Sequence, residues 1–110
     1  MRWIEMAQTN EVNVKGTAET APFITAVIKD EIPYMQLSCR DEMLRIHYDF
    51  KKNDVVKVDF EKEKVFINDK LQMKTVDLLY ADFFNLKPGL NEIRTVPTMQ
   101  LEVKYSERWL

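Results

Sequence analysis

The sequence predicts an all-β fold: an antiparallel two-sheet β-sandwich of the jelly-roll kind, with one short helical turn near residues 76–86. Three observations carry this expectation. Apolar residues recur with a period of two, which places them on one face of a strand. Turn chemistry interrupts these runs about every ten residues, the rhythm of a sandwich or barrel. A single segment breaks the period, with apolar spacings of three and four. The 110 residues suffice for one core, so residues 1–110 read as a single domain.

In chain order, Arg2–Ala7 and Glu11–Lys15 read as the first strands. Pro22–Lys29 follows. Its stretch Phe23 to Ile28 is almost continuously apolar, which suits a central strand covered on both faces. Asp30-Glu31-Ile32-Pro33 connects to a strand over Tyr34–Cys39, and Arg40-Asp41-Glu42 turns the chain again. Leu44, Ile46, Tyr48 and Phe50 then alternate with Arg45, His47, Asp49 and Lys51. Val56, Val58 and Phe60 alternate with Lys57, Asp59 and Glu61. Glu61-Lys62-Glu63-Lys64 forms a charged hairpin tip before the strand Lys64–Ile67. Asn68-Asp69 suits a tight hairpin turn, because both residues tolerate positive φ.

Val76, Leu79, Tyr80, Phe83, Phe84 and Leu86 carry the odd spacing. They predict a helical turn after Thr75 as N-cap, plugging one end of the sheets. Lys87-Pro88-Gly89-Leu90 fits a type II turn, with Pro presetting φ and Gly taking the left-handed angle. Asn91–Val96 is the next strand. Met99, Leu101, Val103 and Tyr105 alternate with polar residues in the last one. The pattern runs to Trp109-Leu110, which predicts a docked terminal strand with its aromatic residue tied down.

Composition excludes much chemistry. Hydrophobic residues are 45% and charged residues 31%, a globular mix. One Cys, Cys39, leaves no intrachain disulfide framework. One His and one Cys argue against a four-ligand zinc site. Two Gly exclude a phosphate loop and a dinucleotide fingerprint. No cofactor is expected. A net charge of −2 provides no field for nucleic acid. No apolar run follows Met1–Met6, and no stretch approaches the roughly 20 apolar residues of a membrane span, so neither a signal peptide nor a membrane role is expected.

His47 reads as a solvent-facing strand residue, since no G-x-S-x-G or other nucleophile motif accompanies it. Cys39 beside Arg40 reads as a buried, inert thiol rather than an activated one. The carboxylates Asp41-Glu42, Asp54, Asp59 with Glu61, and Asp77 with Asp82 read as surface groups, with a facing glycosidase pair as the sharper alternative. Asn68-Asp69 is too little for a Ca²⁺ loop. Trp3, Tyr80, Phe83, Phe84 and Trp109 read as core closure, with a sugar-stacking platform as the alternative.

Three ordered patterns resemble the C-terminal domain of the distal tail protein (Dit) of long-tailed bacteriophages. The first is Asn13-Val14-Lys15-Gly16-Thr17-Ala18-Glu19, with Pro22 opening an apolar strand. The second is Asp82-Phe83-Phe84-Asn85-Leu86-Lys87-Pro88-Gly89-Leu90-Asn91, similar to an aromatic–Leu–x–Pro–Gly–x–Asn segment. The third is the terminal Glu107-Arg108-Trp109-Leu110. The family residues are thus Asn13, Gly16, Pro22, Phe84, Pro88, Gly89, Asn91, Arg108 and Trp109, in structural roles.

The resemblance implies a galectin-like sandwich in a non-enzymatic protein of the phage tail tip or baseplate hub. It implies a hexameric ring formed by another domain, with the sandwich outside it as a docking point for receptor-binding or other baseplate proteins. No segment here matches the ring-forming domain. The chain therefore reads as the C-terminal domain of a longer tail protein, monomeric by itself. The implied location is the virion, after synthesis in the bacterial cytoplasm. Contact with cell-surface carbohydrate is the alternative function. Sugar-binding galectins carry His-Asn-Pro-Arg and Trp-x-x-Glu-x-Arg strands, whereas here Tyr48-Asp49 follow His47 and Glu107-Arg108 precede Trp109.

Overall fold

Ten strands pair into two five-stranded antiparallel sheets in the computed structural model, which describes residues 8–109. They are β1 (Gln8–Val14), β2 (Phe23–Val27), β3 (Ile32–Cys39), β4 (Glu42–Phe50), β5 (Val55–Asp59), β6 (Lys64–Ile67), β7 (Lys70–Leu71), β8 (Val76–Ala81), β9 (Gly89–Val96) and β10 (Gln100–Lys104). One sheet has the order β1-β9-β3-β4-β8 and the other β10-β2-β5-β6-β7. The all-β, two-sheet expectation is borne out. The predicted strand at Arg2–Ala7 lies outside the described residues.

The two-residue period decides which face meets the core. Leu44, Ile46 and Phe50 of β4 are buried, while His47 and Asp49 face solvent. Val56, Val58 and Phe60 are buried in the facing sheet. Leu101 and Val103 pack against the core from β10, an edge strand, and Tyr105 does so from just beyond its end. In β2 only Ile24 and Ala26 are fully buried, and the alternate residues are half-covered. The continuous apolar run therefore misled: β2 is interior within its sheet but has one core face, not two.

Turn chemistry holds where backbone angles demanded it. Asn68 and Asp69 take φ of 50° and 67°, the geometry of the tight β6–β7 hairpin. At the β5–β6 tip, the Asp59 carboxylate accepts the Glu61 and Lys62 amides at 3.1 and 3.0 Å. Gly89 has φ of 94°, the left-handed angle predicted after Pro88.

The helical turn is displaced. It occupies Met73–Thr75 as a 3₁₀ turn, the only one among the described residues, and Val76–Ala81 is strand β8. Ala81 pairs with Leu44 and Val76 with Ile46, with an irregularity between. The apolar residues that suggested a helix share no common surface. Leu79 is 83% exposed, whereas Phe84 and Leu86 are fully buried. Pairing with the otherwise open edge of β4 outweighs a helical spacing that has no single core to face. Closing the core falls to Phe84 and Leu86, on the extended stretch after β8.

Candidate functional site

The family-pattern residues converge at one end of the sandwich, beside the β1–β10 flank. Asn91 lies two residues into β9, paired with Val12 of β1, and is 3% exposed. Its amide nitrogen donates to the carbonyls of Lys87 (2.7 Å), Gly89 (3.1 Å) and Val12 (3.3 Å). Its amide oxygen accepts from the Lys87 backbone at 2.9 Å and from Arg40 at 3.0 Å. One side chain thus closes the Lys87–Gly89 turn and ties it to β1 and the β3–β4 turn. Arg40 also bonds the Asn85 carbonyl and the Cys39 sulfur. Asn91→Ala should cost about 2 kcal/mol, because buried backbone groups lose partners that water cannot reach. Chemical denaturation measures it, and a midpoint like wild type would show the turn closes without Asn91.

Gly16 forms an isolated parallel bridge with Arg108. The Arg108 carbonyl accepts the amides of Thr17 (2.8 Å) and Ala18 (3.2 Å). The Tyr105 hydroxyl donates to the Asn13 carbonyl at 3.2 Å. Thr20 and Leu86 exchange backbone bonds at 3.0 and 2.8 Å. Pro22 is buried just before β2, and its carbonyl accepts the Phe60 amide. Phe84 is fully buried with its ring 4.5 Å from that of Phe60. Pro88 is exposed, as its turn position requires. Trp109 reverses an expectation: it is 67% exposed. The chain end is docked through the Arg108 backbone, while the indole faces solvent.

The opposite flank, where β7, the 3₁₀ turn and β8 link the two sheets, carries a second cluster. Four residues, Asp77–Tyr80, stand between the two paired positions of β8, against one on β4. This bulge is built around Asp77. One of its oxygens accepts the Leu79 and Tyr80 amides at 2.7 and 3.0 Å, and the other lies 2.6 Å from His47 Nε2. The Arg45 guanidinium lies 4.6 Å from the Tyr80 ring centre and 5.3 Å from that of Tyr34. Gln36 Oε1 fixes it with bonds of 3.0 and 2.8 Å. The tip of the bulge, Leu78 and Leu79, is left in solvent.

The His47 bond, then the two amide bonds, hold the Asp77 carboxyl down at about 2, from 3.8. A carboxyl lowered in the folded state adds stability above its unfolded value and loses it as pH falls. The Asp77 contribution should therefore be complete above about pH 4 and disappear towards pH 2. Asp77→Asn should reduce the loss of stability over that window, read from melting temperatures at each pH. An identical acid profile would remove Asp77 from the account.

The remaining candidates do not assemble. Burial pushes the Cys39 thiol up, and the neighbouring Arg40 pulls it down by less. That is an inert thiol, as expected. No group of three or more metal-ligating side chains occurs among the described residues. No helix among them is long and apolar enough to cross a membrane. An open groove beside the Gly16–Arg108 bridge is lined by Glu19, Glu61, Glu63, Phe83, Asn85 and Arg108, among others.

Residues 15–109 match the family described as siphovirus-type tail component, C-terminal domain. The chain belongs to that family. This tail-component domain is thus a structural part of a phage tail. Among solved structures it is similar to the Dit protein (gp 19.1) of phage SPP1, described as a paradigm of the hub adsorption apparatus in phages infecting Gram-positive bacteria. The TM-score is 0.69 at 17% identity, over 94% of this chain and 47% of that one, a likeness of fold. The tail-component domain therefore spans about half the length of the SPP1 protein. No curated protein matches it.

Sequence reading of the tail-component domain found the Gly16, Gly89 and Asn91 positions but not Arg40, the partner of Asn91 51 residues away. It also missed the Asp77–His47 bond and the exposed leucines, because their spacing mimics a helical stripe. Asp77 two residues before Leu79 and three before Tyr80 was the available signal, since Asp caps the amides of such a turn.

Proposed function

We propose that this is the peripheral C-terminal sandwich domain of a distal tail protein, a non-enzymatic part of the tail-tip hub that docks other tail-tip or baseplate proteins, receptor-binding proteins among them. The observation that carries the reading is the family match over residues 15–109. Coverage of about half of the SPP1 protein supports residues 1–110 as one domain of a longer chain. In this reading the ring-forming part lies elsewhere in the protein and makes a hexamer. The isolated domain is a monomer of 13.1 kDa, is made in the bacterial cytoplasm and functions in the virion, with neither nucleic acid nor membrane as partner.

Gold-labelled antibody against the domain should decorate the periphery of the tail tip in electron micrographs of virions. Label confined to the capsid or the tail shaft would overturn the placement. Light scattering of the domain should give one subunit mass, and a hexamer would move the ring contacts into this domain.

A glycan-binding reading draws on Trp109, whose exposed face a sugar ring stacks upon. It expects host cell-wall glycan to shift the tryptophan fluorescence, with the shift lost in Trp109→Ala. An unchanged spectrum at saturating glycan excludes it.

A further inference from the structure

We infer that the Leu78–Leu79 tip is an insertion knob, which docks into an apolar pocket with an acidic rim on another protein of the tail. The inference rests on the docking role proposed above and assigns it a surface and a partner chemistry.

Exposure comes first. Leu78 is 97% and Leu79 83% exposed, and Leu71 (54%) and Met73 (38%) lie on the same flank. Scattered single leucines on a surface are ordinary, but two adjacent leucines held out together on one bulge are a candidate contact site.

Construction comes second. A loose loop would have its amides in water. Here the Asp77 carboxylate takes the Leu79 and Tyr80 amides, His47 holds that carboxylate, and Arg45 packs on Tyr80. The two leucines are therefore presented on a pre-formed turn, which reduces the ordering cost of association. The same bonds occupy amides that an added strand would need. The knob is thus suited to insertion of side chains, not to extension of the sheet.

Charge selects the partner. The acidic residues of this flank are engaged: Asp69 with Lys57 at 3.2 Å, Asp77 with His47, and Asp82 with the Met43 amide at 3.1 Å. Lys70 and Lys74, on either side of Leu71 and Met73, are exposed and make no ion pair among the described residues. The flank that carries the tip consequently presents two exposed lysines with no ion pair among the described residues. A pocket rimmed by Asp or Glu complements both features, and such rim charges govern association rate and salt dependence.

The test uses the complete protein that carries this domain, titrated with each purified tail protein encoded beside it. Variants are Leu78→Asp with Leu79→Asp, and Lys70→Glu with Lys74→Glu; all four sites are solvent-facing, and unchanged melting confirms folding. A wild-type complex weakened about 100-fold by the leucine variant supports the knob, since two buried leucines are lost. The lysine variant should weaken it about tenfold and flatten its salt dependence. A wild-type complex untouched by the leucine variant overturns the knob and leaves the docking role standing. No complex with any tail protein overturns both. Binding to phosphatidylglycerol vesicles instead, lost in the leucine variant, replaces the protein pocket with a lipid surface.

Discussion

Phe84→Ala should lower the unfolding free energy by about 4 kcal/mol, read as a fall in the denaturation midpoint at constant slope. The ring is fully buried, 4.5 Å from Phe60, and Phe60 also meets Phe83 at 5.9 Å. Phe84 lies on the extended stretch between β8 and β9, not in a ladder. Backbone pairing is therefore sparse around it, and Leu86 with Thr20 is the nearest bridge. Removing the ring leaves a cavity that flanking strands, fixed by their own ladders, cannot fill. Phe84→Leu keeps most of the volume and should cost less than about 1.5 kcal/mol. A loss below about 1 kcal/mol in the Ala variant would mean that the stretch moves to fill the space.

The two glycines should respond unequally to valine. Gly16 has φ of 120°, and a Cβ there would sit 2.5 Å from the Arg108 carbonyl oxygen. Backbone must shift, because neither side of that contact is a flexible side chain. The same oxygen accepts the Thr17 and Ala18 amides, so movement weakens both bonds. Strain and overlap together place Gly16→Val at about 3 kcal/mol. Gly89 has φ of 94° but no atom within 4 Å of a built Cβ, so Gly89→Val should cost only about 1 kcal/mol, the backbone angle alone. Paired denaturation curves settle the order. Equal costs would mean that the backbone at Arg108 yields freely.

What the sequence makes legible is local. The alternation at Leu44, Ile46 and Phe50 sets a burial pattern without knowledge of partners, because a strand face is written every second residue. Asn68-Asp69 and Pro88-Gly89 announce their turns, because their φ values are properties of single residues. The Asn91 hub is half legible. Its place after Pro-Gly is visible, but its bond to Arg40 depends on two strands meeting. Residues 76–86 fail for a physical reason: three- and four-residue spacing implies a helix only when all of those residues seek one apolar surface. Here some seek the core and others solvent. Trp109 fails similarly, since size predicts burial and the docking of Arg108 is done by backbone.

The clasp between Tyr105 and Asn13 joins residues 92 apart in the chain. The Gly16–Arg108 bridge spans the same interval. Neither contact exists until residues 105–108 have left the ribosome. The β1 strand, near the start of the described residues, must wait for almost the whole of this domain to emerge before its flank is closed. Distant pairing of this sort slows folding and leaves strand edges open meanwhile. During that wait the flank beside β1 stays open, so closing this side of the sandwich depends on one tyrosine hydroxyl and one glycine contact that only the last described residues can make.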